Sequence, residues 1–283
     1  MSCKPEKDPA VEARKDWTAY RVAHLVRVQP HPLDGDESVD SLQLTYTAAG
    51  KLDRINEVRF SRHLISGKIE NRQEERHQLV YAASGRLQEI RTDWNQRSQP
   101  TEPNQWTSGG RMLCDYDAAG RLVNLTYDFQ SRQEKLFHEL GFAPQGQPTR
   151  IVTRLKTPEF TLQYDARGNA VKTRQLYSDG TGGYERTFTF DANPNPFRLL
   201  SGAGLPLLIF FRDGGDLGWN YQYAITSQNN PLTIRATSLG GMHGPLLNPN
   251  LTISYRYNPA NLPLEARVVS PAQALRIFRF YYE

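Results

Sequence analysis

The chain has 283 residues, with 34 Lys and Arg, 30 Asp and Glu, and a formal net charge of +4. Basic and acidic residues are interspersed, so the sequence lacks the basic block that marks a nucleic-acid-binding surface. No run approaches the ~18–20 consecutive apolar residues that a membrane-spanning helix needs. The two cysteines, Cys3 and Cys114, do not make a disulfide framework. Composition therefore predicts a polar protein that does not bind nucleic acid and has no membrane-spanning helix.

Residues 1–15 contain very few apolar side chains and predict a flexible tether that precedes the fold. The Ser-Cys pair at its start, followed by a charged segment with proline, resembles the mature start of a bacterial lipoprotein. In such proteins the cysteine carries the lipid. We therefore expect lipidation at Cys3, contact with a membrane through that anchor, and an outer-membrane location. The alternative is a cytoplasmic protein with an ordinary disordered start.

A short motif recurs from residue 46 onwards: YTAAGKL (46–52), YAASGRL (81–87), YDAAGRL (116–122) and YDARGNA (164–170). The glycine follows the tyrosine by four residues in each copy, and Asn261 follows Tyr257 by the same interval. A three-residue hairpin loop needs a left-handed residue at this place, where Gly is unstrained and Asn is next best. In the third copy, Asp117 can cap the turn by bonding to backbone N–H groups ahead of it. The left-handed residues that the motif predicts are Gly50, Gly85, Gly120, Gly168 and Asn261.

The segments on both sides of these turns alternate apolar and polar residues, as Leu42, Leu44 and Tyr46 do. This period of two predicts antiparallel strands with one face in water. Segment 121–129 departs from it, because Leu125 and Tyr127 fall on the face opposite Tyr116. That departure predicts that part of the second face is covered. The predicted strands are 17–29, 41–47, 51–60, 76–82, 86–94, 110–117, 121–129, 134–142, 149–156, 160–165, 170–177, 184–190, 231–237, 251–257, 262–269 and 274–282.

Residues 191–230 interrupt the hairpin pattern. Pro194 and Pro196 are expected to end a strand, and LPLLIFF (205–211) is the most apolar run of the chain. A long irregular segment inside a compact domain usually has a specific task. We expect residues 191–215 to pack against or inside the sheet.

Two resemblances follow from these motifs. The Tyr-Asp-x-x-Gly-Arg-Leu hairpins resemble YD repeats, the units of RHS-type proteins. The C-terminal half resembles a Bacteroidota lipoprotein family of unknown function that is described as having a porin-like fold. That second resemblance implies a large curved sheet with the 191–215 segment packed inside, implies the lipidated Cys3, and implies no catalytic residues. It rests on the order of YDARGNA (164–170), FDANPNPF (190–197), LPLL (205–208), SQNNP (227–231), YRYNPANLP (255–263) and FRFYYE (278–283).

The fold class we predict is all-β. Residues 16–283 form one domain, a large, strongly curved antiparallel sheet or open half-barrel of consecutive hairpins. A transmembrane barrel is the alternative that the porin-like resemblance raises. It needs an unbroken apolar band outside, and a lipid-facing Arg at the midplane would cost ~2–4 kcal/mol. Arg, Lys and Glu recur in mid-strand, as in RLQEIRTDW (86–94), which disfavours a transmembrane barrel.

No catalytic constellation emerges from the sequence. The six histidines are not paired at metal-ligand spacing, and no serine lies in a G-x-S-x-G motif. Cys114 lies in an apolar strand, where a reactive thiolate is not expected. The sequence therefore predicts neither a metal site nor a cofactor.

We accordingly predict a non-enzymatic envelope lipoprotein with a binding or structural role. One alternative is a carrier that holds an apolar or glycan ligand inside the curved sheet, under a lid formed by residues 197–211. The candidate ligand-binding residues for that carrier are the strand aromatics Phe188, Phe190, Tyr255 and Tyr257, whose other explanation is ordinary core packing. A hydrolase is the third alternative and needs a constellation that the sequence does not display.

Overall fold

The structure is a computed structural model. It describes residues 20–31, 36–97, 105–129, 134–142, 148–153, 160–176, 182–199, 227–239, 250–271 and 275–283. The predicted tether, residues 1–15, and the predicted lipidation residue Cys3 lie outside these ranges.

Sixteen strands and one short 3₁₀ helix are described. Each predicted strand is present, although several begin earlier than expected; the fourth begins at Ile69 rather than at residue 76. The 3₁₀ helix, Pro196–Leu199, follows the twelfth strand. The strands are β1 Val22–His31, β2 Asp36–Tyr46, β3 Leu52–His63, β4 Ile69–Tyr81, β5 Leu87–Arg97, β6 Thr107–Tyr116, β7 Leu122–Phe129, β8 Glu134–Phe142, β9 Pro148–Thr153, β10 Phe160–Tyr164, β11 Ala170–Leu176, β12 Gly183–Pro194, β13 Asn229–Leu239, β14 Asn250–Tyr257, β15 Pro263–Val269 and β16 Leu275–Tyr282.

The sheet closes into a barrel. Each strand pairs antiparallel with its neighbour in the chain, and β1 also pairs with β16. At this seam Leu25 lies opposite Phe280 of β16 on one side and opposite Leu42 of β2 on the other. The all-β, antiparallel prediction is confirmed, whereas the open half-barrel is wrong. Closure pairs the two strand edges that an open sheet would leave exposed.

Among the described residues, five tight hairpins lie at one end of the barrel, which we call the turn end: residues 47–51, 82–86, 117–121, 165–169 and 258–262. In the third hairpin the backbone N–H groups of Asp117 and Gly120 donate to Arg121 O and Asp117 O, both at 2.9 Å. The Asp117 carboxylate accepts the Arg121 N–H at 2.8 Å and pairs with the Arg121 guanidinium at 2.7 Å. These hydrogen bonds hold the pKa of Asp117 below its usual value. Tyr116 lies opposite Leu122, the pairing that the motif predicts.

The left-handed residue recurs at the same place in every hairpin of the turn end. Its backbone N–H donates to the carbonyl three residues earlier at 2.8–3.0 Å. A positive φ of this kind suits glycine, and asparagine is the most tolerant substitute. The φ angles are 78° at Gly50, 82° at Gly85, 79° at Gly120, 83° at Gly168 and 60° at Asn261.

A β-bulge follows each of these turns and changes which residues face inwards. Asp115 lies opposite Asn124, but Tyr116 lies opposite Leu122, so β7 contains one extra residue. The bulge brings Leu122 and Leu125 to the same face, and both are buried in one apolar core. The apolar residues of segment 121–129 therefore lie on the interior face, and they give no support to the expectation that part of the second face is covered.

Tyrosine hydroxyl groups form hydrogen bonds between successive hairpins. Tyr81 Oη donates to Leu52 O, and Tyr116 Oη donates to Leu87 O, both at 2.7 Å. Each accepting carbonyl lies two residues after the glycine of the preceding hairpin. Tyr282 Oη donates in the same way to Pro263 O at 2.7 Å, two residues after Asn261. The tyrosine of the motif therefore sets the position of its hairpin relative to the preceding one.

A cation from the preceding hairpin covers the rings of Tyr81 and Tyr116. Lys51 Nζ lies 5.3 Å from the ring centroid of Tyr81, and Arg86 Cζ lies 5.8 Å from that of Tyr116. The same cations occupy the space that a Cβ would need on Gly85 and Gly120. Glycine is therefore required twice at these positions, once for its positive φ and once for the space that it leaves to the cation.

The closure seam reproduces this hairpin from two distant pieces of chain. Arg21 and Glu283 exchange both of their backbone hydrogen bonds, at 3.2 and 3.0 Å, and Val22 lies opposite Tyr282. Arg21 Cζ lies 5.5 Å from the ring centroid of Tyr46, whose hydroxyl donates to Val22 O at 2.8 Å. Tyr282-Glu283 and Arg21-Val22 are thus equivalent to Tyr116-Asp117 and Arg121-Leu122. The barrel closes through the contacts that join its other hairpins.

The apolar core lies inside the barrel, in the half nearest the turn end. It is built from inward side chains of strands all around the barrel, such as Ile55, Ile90, Leu125 and Phe278, each at most 1% exposed. Full burial of such a side chain stabilises the fold by about 1.5–3 kcal/mol. The 3₁₀ helix contributes buried Phe197, whose ring centroid lies 6.0 Å from that of Phe280 on β16. Residues 191–199 of the predicted internal segment therefore reach the interior at Phe197, while residues 200–215 lie outside the described ranges.

The outer face is charged along the length of the strands. This is the reverse of the apolar band that surrounds a transmembrane barrel. Among the described residues, no helix is long and apolar enough to cross a bilayer. Exposed arginines of the outer face are Arg54, Arg91, Arg111, Arg174, Arg256, Arg267 and Arg279.

Alanine substitution at two glycines measures separately the cost of a positive φ and the cost of displacing the cation. Gly67 has a φ of 69° but no atom within 4 Å of its would-be Cβ, so Gly67→Ala measures the backbone cost alone. We expect a loss of about 1–2 kcal/mol for Gly67→Ala. Gly120→Ala should lose about 0.5–1 kcal/mol more, because it also displaces Arg86 from Tyr116. Urea unfolding measures both values, and equal losses would contradict the role of Arg86.

Substitution of Tyr81 tests the hydrogen bond between successive hairpins. Tyr81→Phe removes the donor to Leu52 O and should lower the free energy of unfolding by about 0.5–1.5 kcal/mol at neutral pH. Tyr281→Phe is the control, because Tyr281 is 49% exposed.

Tyr81→Phe should also change how the free energy of unfolding depends on pH in the alkaline range. Burial, with the nearby charge of Asp53, raises the pKa of Tyr81 to about 12. An unfolded phenol ionises near pH ~10, so the unfolded state loses this proton first and stability falls as pH rises above that value. In Tyr81→Phe this contribution is absent, and the decline between pH ~10 and ~12 should be less steep. Unfolding curves at a series of pH values measure the slope, and parallel slopes would refute the assignment.

Candidate functional site

Charged side chains occupy the inward face of four adjacent strands, in the half of the barrel away from the turn end. We call this group the lumen cluster. The cluster consists of Arg27 on β1, Asp40 on β2, Glu57 and Arg59 on β3, and Glu75 and His77 on β4. Strand alternation aims them all inwards, because they share a face with core residues such as Leu42 and Ile55.

Arg27 and Asp40 form a buried ion pair at the first two strands. Arg27 Nε and Nη2 both contact Asp40 Oδ2, and the two side chains are only 10% and 6% exposed. Burial raises the pKa of Asp40 even though the Arg27 charge opposes that rise. Arg59 lies further off, with its Nε 3.9 Å from Asp40 Oδ1. Desolvating such a pair is expensive, so each partner depends on the other.

Glu57, Glu75 and His77 form the second half of the lumen cluster. His77 Nε2 lies 3.9 Å from Glu57 Oε2 and 3.7 Å from Glu75 Oε2. His77 Nδ1 lies 3.1 Å from Thr92 Oγ1 on β5, and Arg59 Nε donates to Glu57 Oε1 at 2.6 Å. His77 and Glu57 are 0% and 2% exposed. Two carboxylates and an imidazole thus converge in a buried place.

The two carboxyl groups of this half have pKa values shifted in opposite directions. Burial alone would raise the pKa of Glu57, but the nearby His77 imidazole and the Arg59 guanidinium, which donates a hydrogen bond to Glu57, hold it below its usual value. Burial and the neighbouring Glu57 charge raise the pKa of Glu75. Glu57 is therefore the more acidic of the two carboxyl groups.

The predicted ligand-binding aromatics form two pairs, one on β12 and one on β14, on either side of β13. The ring centroids of Phe188 and Phe190 are 6.4 Å apart, and those of Tyr255 and Tyr257 are 5.7 Å apart and stacked. Phe188 is only 6% exposed and belongs to the apolar core. Tyr255 Oη donates to Pro231 O at 2.9 Å, and Tyr257 Oη donates to Asp191 Oδ2. Each of the four therefore has a packing or hydrogen-bonding role in the barrel itself.

A buried polar network lies where the chain leaves β12 and returns to β13. The Asp191 carboxylate accepts the backbone N–H groups of Asn193 and Asn230 at 3.0 Å, together with the Asn230 side chain and Tyr257. Asn169 and Asn229 bond to each other, with Asn229 N donating to Asn169 Oδ1 at 2.9 Å. These residues belong to the motifs YDARGNA, FDANPNPF, SQNNP and YRYNPANLP. Sequence reasoning noted their order but did not predict that they meet.

A polar groove of about 410 Å³ lies on the outer face, across β2, β3 and β4. Arg76 stacks on Trp106 at its edge, with Arg76 Cζ 3.7 Å from the ring centroid. Smaller depressions of about 270 and 140 Å³ lie near Glu139 and near His63. The groove is lined by Gln43, Arg54, Asn56, Val58, Glu74, Arg76 and Trp106, together with Glu57 and Glu75, which lie between these residues on β3 and β4 and have their side chains in the lumen cluster.

Among the described residues, Cys114 and Ser66 are the side chains considered as nucleophiles, and both have structural roles. Burial raises the pKa of the Cys114 thiol to about 12, so the thiol stays protonated. Ser66 Oγ lies 3.1 Å from His63 Nδ1 in the β3–β4 turn, but that nitrogen also accepts the Ser66 backbone N–H at 3.2 Å. Lys68 N donates to Ser66 Oγ at 3.3 Å. The Ser–His contact therefore closes a turn.

Comparison with known proteins supports the fold. No protein-family model and no curated protein sequence matches the chain. The chain is similar in structure to a porin-like protein from Bacteroides uniformis ATCC 8492, with a TM-score of 0.57 and 9% identity over 93% of this chain and 98% of that one. At this identity the likeness shows a shared fold alone.

Two further solved structures align at lower TM-scores. A porin-like protein from Bacteroides vulgatus ATCC 8482 aligns with a TM-score of 0.35 and 12% identity, over 93% of this chain and 98% of that one. The Tc holotoxin pore of Photorhabdus luminescens aligns with a TM-score of 0.24 and 13% identity, over 92% of this chain and 12% of that one.

The buried ion pair predicts unequal effects of two matched substitutions. Asp40→Asn leaves the Arg27 charge without its counter-charge in the interior and should destabilise the fold by about 3–5 kcal/mol. Asp128→Asn is the control, because its pair with Arg111 is 28% and 52% exposed, and it should cost less than about 1 kcal/mol. Chemical unfolding of both variants measures the difference, and similar losses would show that Arg27 is effectively solvated.

Proposed function

We propose that the protein is a non-enzymatic lipoprotein of the bacterial cell envelope, whose barrel stays in water beside the membrane. The observation that carries this proposal is the distribution of polarity, with apolar side chains inside and exposed arginines outside. An arginine that faced lipid at the bilayer midplane would cost ~2–4 kcal/mol. A barrel of this kind needs a separate anchor to stay at a membrane, and a lipid on Cys3 would supply one.

The position of the first strand supports this anchor. Val22, where β1 begins, lies at the turn end beside Tyr282. The chain from Cys3 to Val22 could reach about 60 Å if extended, at ~3.3 Å per residue. The turn end would therefore be tethered to the membrane and the opposite rim would be free. The likeness in fold to a porin-like protein from Bacteroides uniformis also supports an envelope location.

A binding or structural role agrees best with the interior. The inward side chains near the turn end pack on one another, and the aromatic hydroxyls at Tyr255 and Tyr257 are engaged by protein acceptors. We propose that the barrel acts through its outer face and its rims. The alternative, a carrier of an apolar or glycan ligand, would place that ligand against Phe188, Phe190, Tyr255 and Tyr257.

The two cysteines allow a matched test of lipidation. In the protein's own host, we expect the wild type and Cys114→Ser to sediment with membranes and to carry acyl chains by intact mass. Cys3→Ser should move to the soluble fraction, because it removes the acylation site while Cys114 stays buried inside the barrel. A wild-type protein with an unmodified Cys3 thiol would overturn the lipid anchor.

Native mass spectrometry of the soluble Cys3→Ser protein separates the two roles. We expect no bound organic molecule if the barrel is a scaffold. A non-covalent adduct that is lost in Phe190→Ala would favour the carrier instead.

A further inference from the structure

Three side chains of the lumen cluster have the composition of a metal site. Glu57, Glu75 and His77 each offer one ligand atom, and these atoms lie within 4.8 Å of one another. The His77 Nε2 distances to the two carboxylates are 3.9 and 3.7 Å. Metal–ligand bonds of ~2.0–2.2 Å hold neighbouring ligands at ~3.0–3.5 Å from one another, so the two His77 distances are longer than those around a bound ion by less than an ångström.

Neighbouring residues orient these ligand side chains. This orientation is a second observation, separate from the short distances between the ligand atoms. Thr92 Oγ1 lies 3.1 Å from His77 Nδ1, and this contact aims Nε2 at the carboxylates. Histidines that bind metals usually donate the other ring N–H to such an outer partner. Arg59 holds Glu57 Oε1 at 2.6 Å, while Glu57 Oε2 is the oxygen nearer to His77.

The charge balance of the site also calls for a cation. Glu57 lies directly opposite Glu75 in the β3–β4 ladder. Like charges in directly opposed positions destabilise a sheet, and burial strengthens the repulsion. Arg59 pairs with Glu57 at 2.6 Å, so one guanidinium charge serves two opposed carboxylates. A divalent ion between the two carboxylates would remove the repulsion.

We propose that Glu57, Glu75 and His77 bind a divalent transition-metal ion of the Zn²⁺ class inside the barrel. An imidazole nitrogen with two carboxylates favours Zn²⁺, Mn²⁺ or Fe²⁺ over Mg²⁺ and Ca²⁺, which prefer oxygen ligands throughout. Sequence spacing did not reveal the site, because Glu75 and His77 share a face two residues apart on β4 while Glu57 belongs to β3.

Titration of metal-free protein with Zn²⁺ and with Co²⁺ tests the proposal. Calorimetry should show one Zn²⁺ per chain, and Co²⁺ should develop visible d–d absorption. Glu75→Gln should weaken Zn²⁺ binding by at least ~100-fold, since it removes a charged ligand. Thr92→Val leaves the ligands in place and should weaken binding by about 10–100-fold. Glu74→Gln is the matched control, because Glu74 is the preceding residue on the opposite face of β4 and pairs with Arg72.

Glu75→Gln is preferred to a substitution of His77, because His77 is fully buried and its replacement would disturb the fold. The Glu75 side chain is 26% exposed, and the amide relieves the repulsion from Glu57. Mg²⁺ serves as the selectivity control and should not compete with Zn²⁺. A wild type that binds no stoichiometric Zn²⁺ or Co²⁺ would overturn the proposal, as would equal affinity in Glu75→Gln and Glu74→Gln. Neither outcome bears on the lipid anchor, which is tested at Cys3.

Discussion

The architecture depends on the contact between one tyrosine and the hairpin that precedes it. A hydroxyl such as Tyr81 Oη reaches a carbonyl of the preceding unit, and a cation of that unit, Lys51, covers its ring. Gly85 makes room for that cation while its positive φ closes the turn. Because the bond, the stack and the turn share the same few residues, none can move without disturbing the others. The motif therefore sets both the shape of each hairpin and its register with the preceding one.

Closure of the barrel extends this contact across the chain ends. Arg21 and Glu283 pair through their backbones like the two residues that flank a hairpin turn. Arg21 covers the ring of Tyr46 as Arg86 covers the ring of Tyr116. The curved sheet consequently has no unpaired edge at the seam. Closure also determines which face is inside, and the bulge after each turn keeps residues such as Leu122 and Leu125 on that face. An apolar interior and a charged exterior follow, the reverse of a barrel in lipid.

The interior is divided between two kinds of environment. Near the turn end it is an apolar core, whereas further along β1–β4 it holds the lumen cluster. Burying Arg27, Asp40 and Glu57 costs desolvation that apolar residues would not incur. Internal pairing at Arg27–Asp40 and Arg59–Glu57 offsets part of that cost, and the convergence of Glu57, Glu75 and His77 adds a site suited to a cation. The polar half of the interior is therefore where specific chemistry can occur, and the apolar half holds the barrel together.

The sequence by itself determined the strands and the tight turns. Both are local properties: alternation over a few residues marks a strand, and a glycine four residues after a tyrosine marks a left-handed turn position. Tertiary structure alone decided the closure, since Arg21-Val22 and Tyr282-Glu283 acquire meaning only as a pair. It also decided the inward face of β7, because one bulged residue reverses the alternation. The metal-binding cluster was hidden for the same reason, since Glu57 on β3 meets Glu75 and His77 through strand register, which no spacing along the chain records.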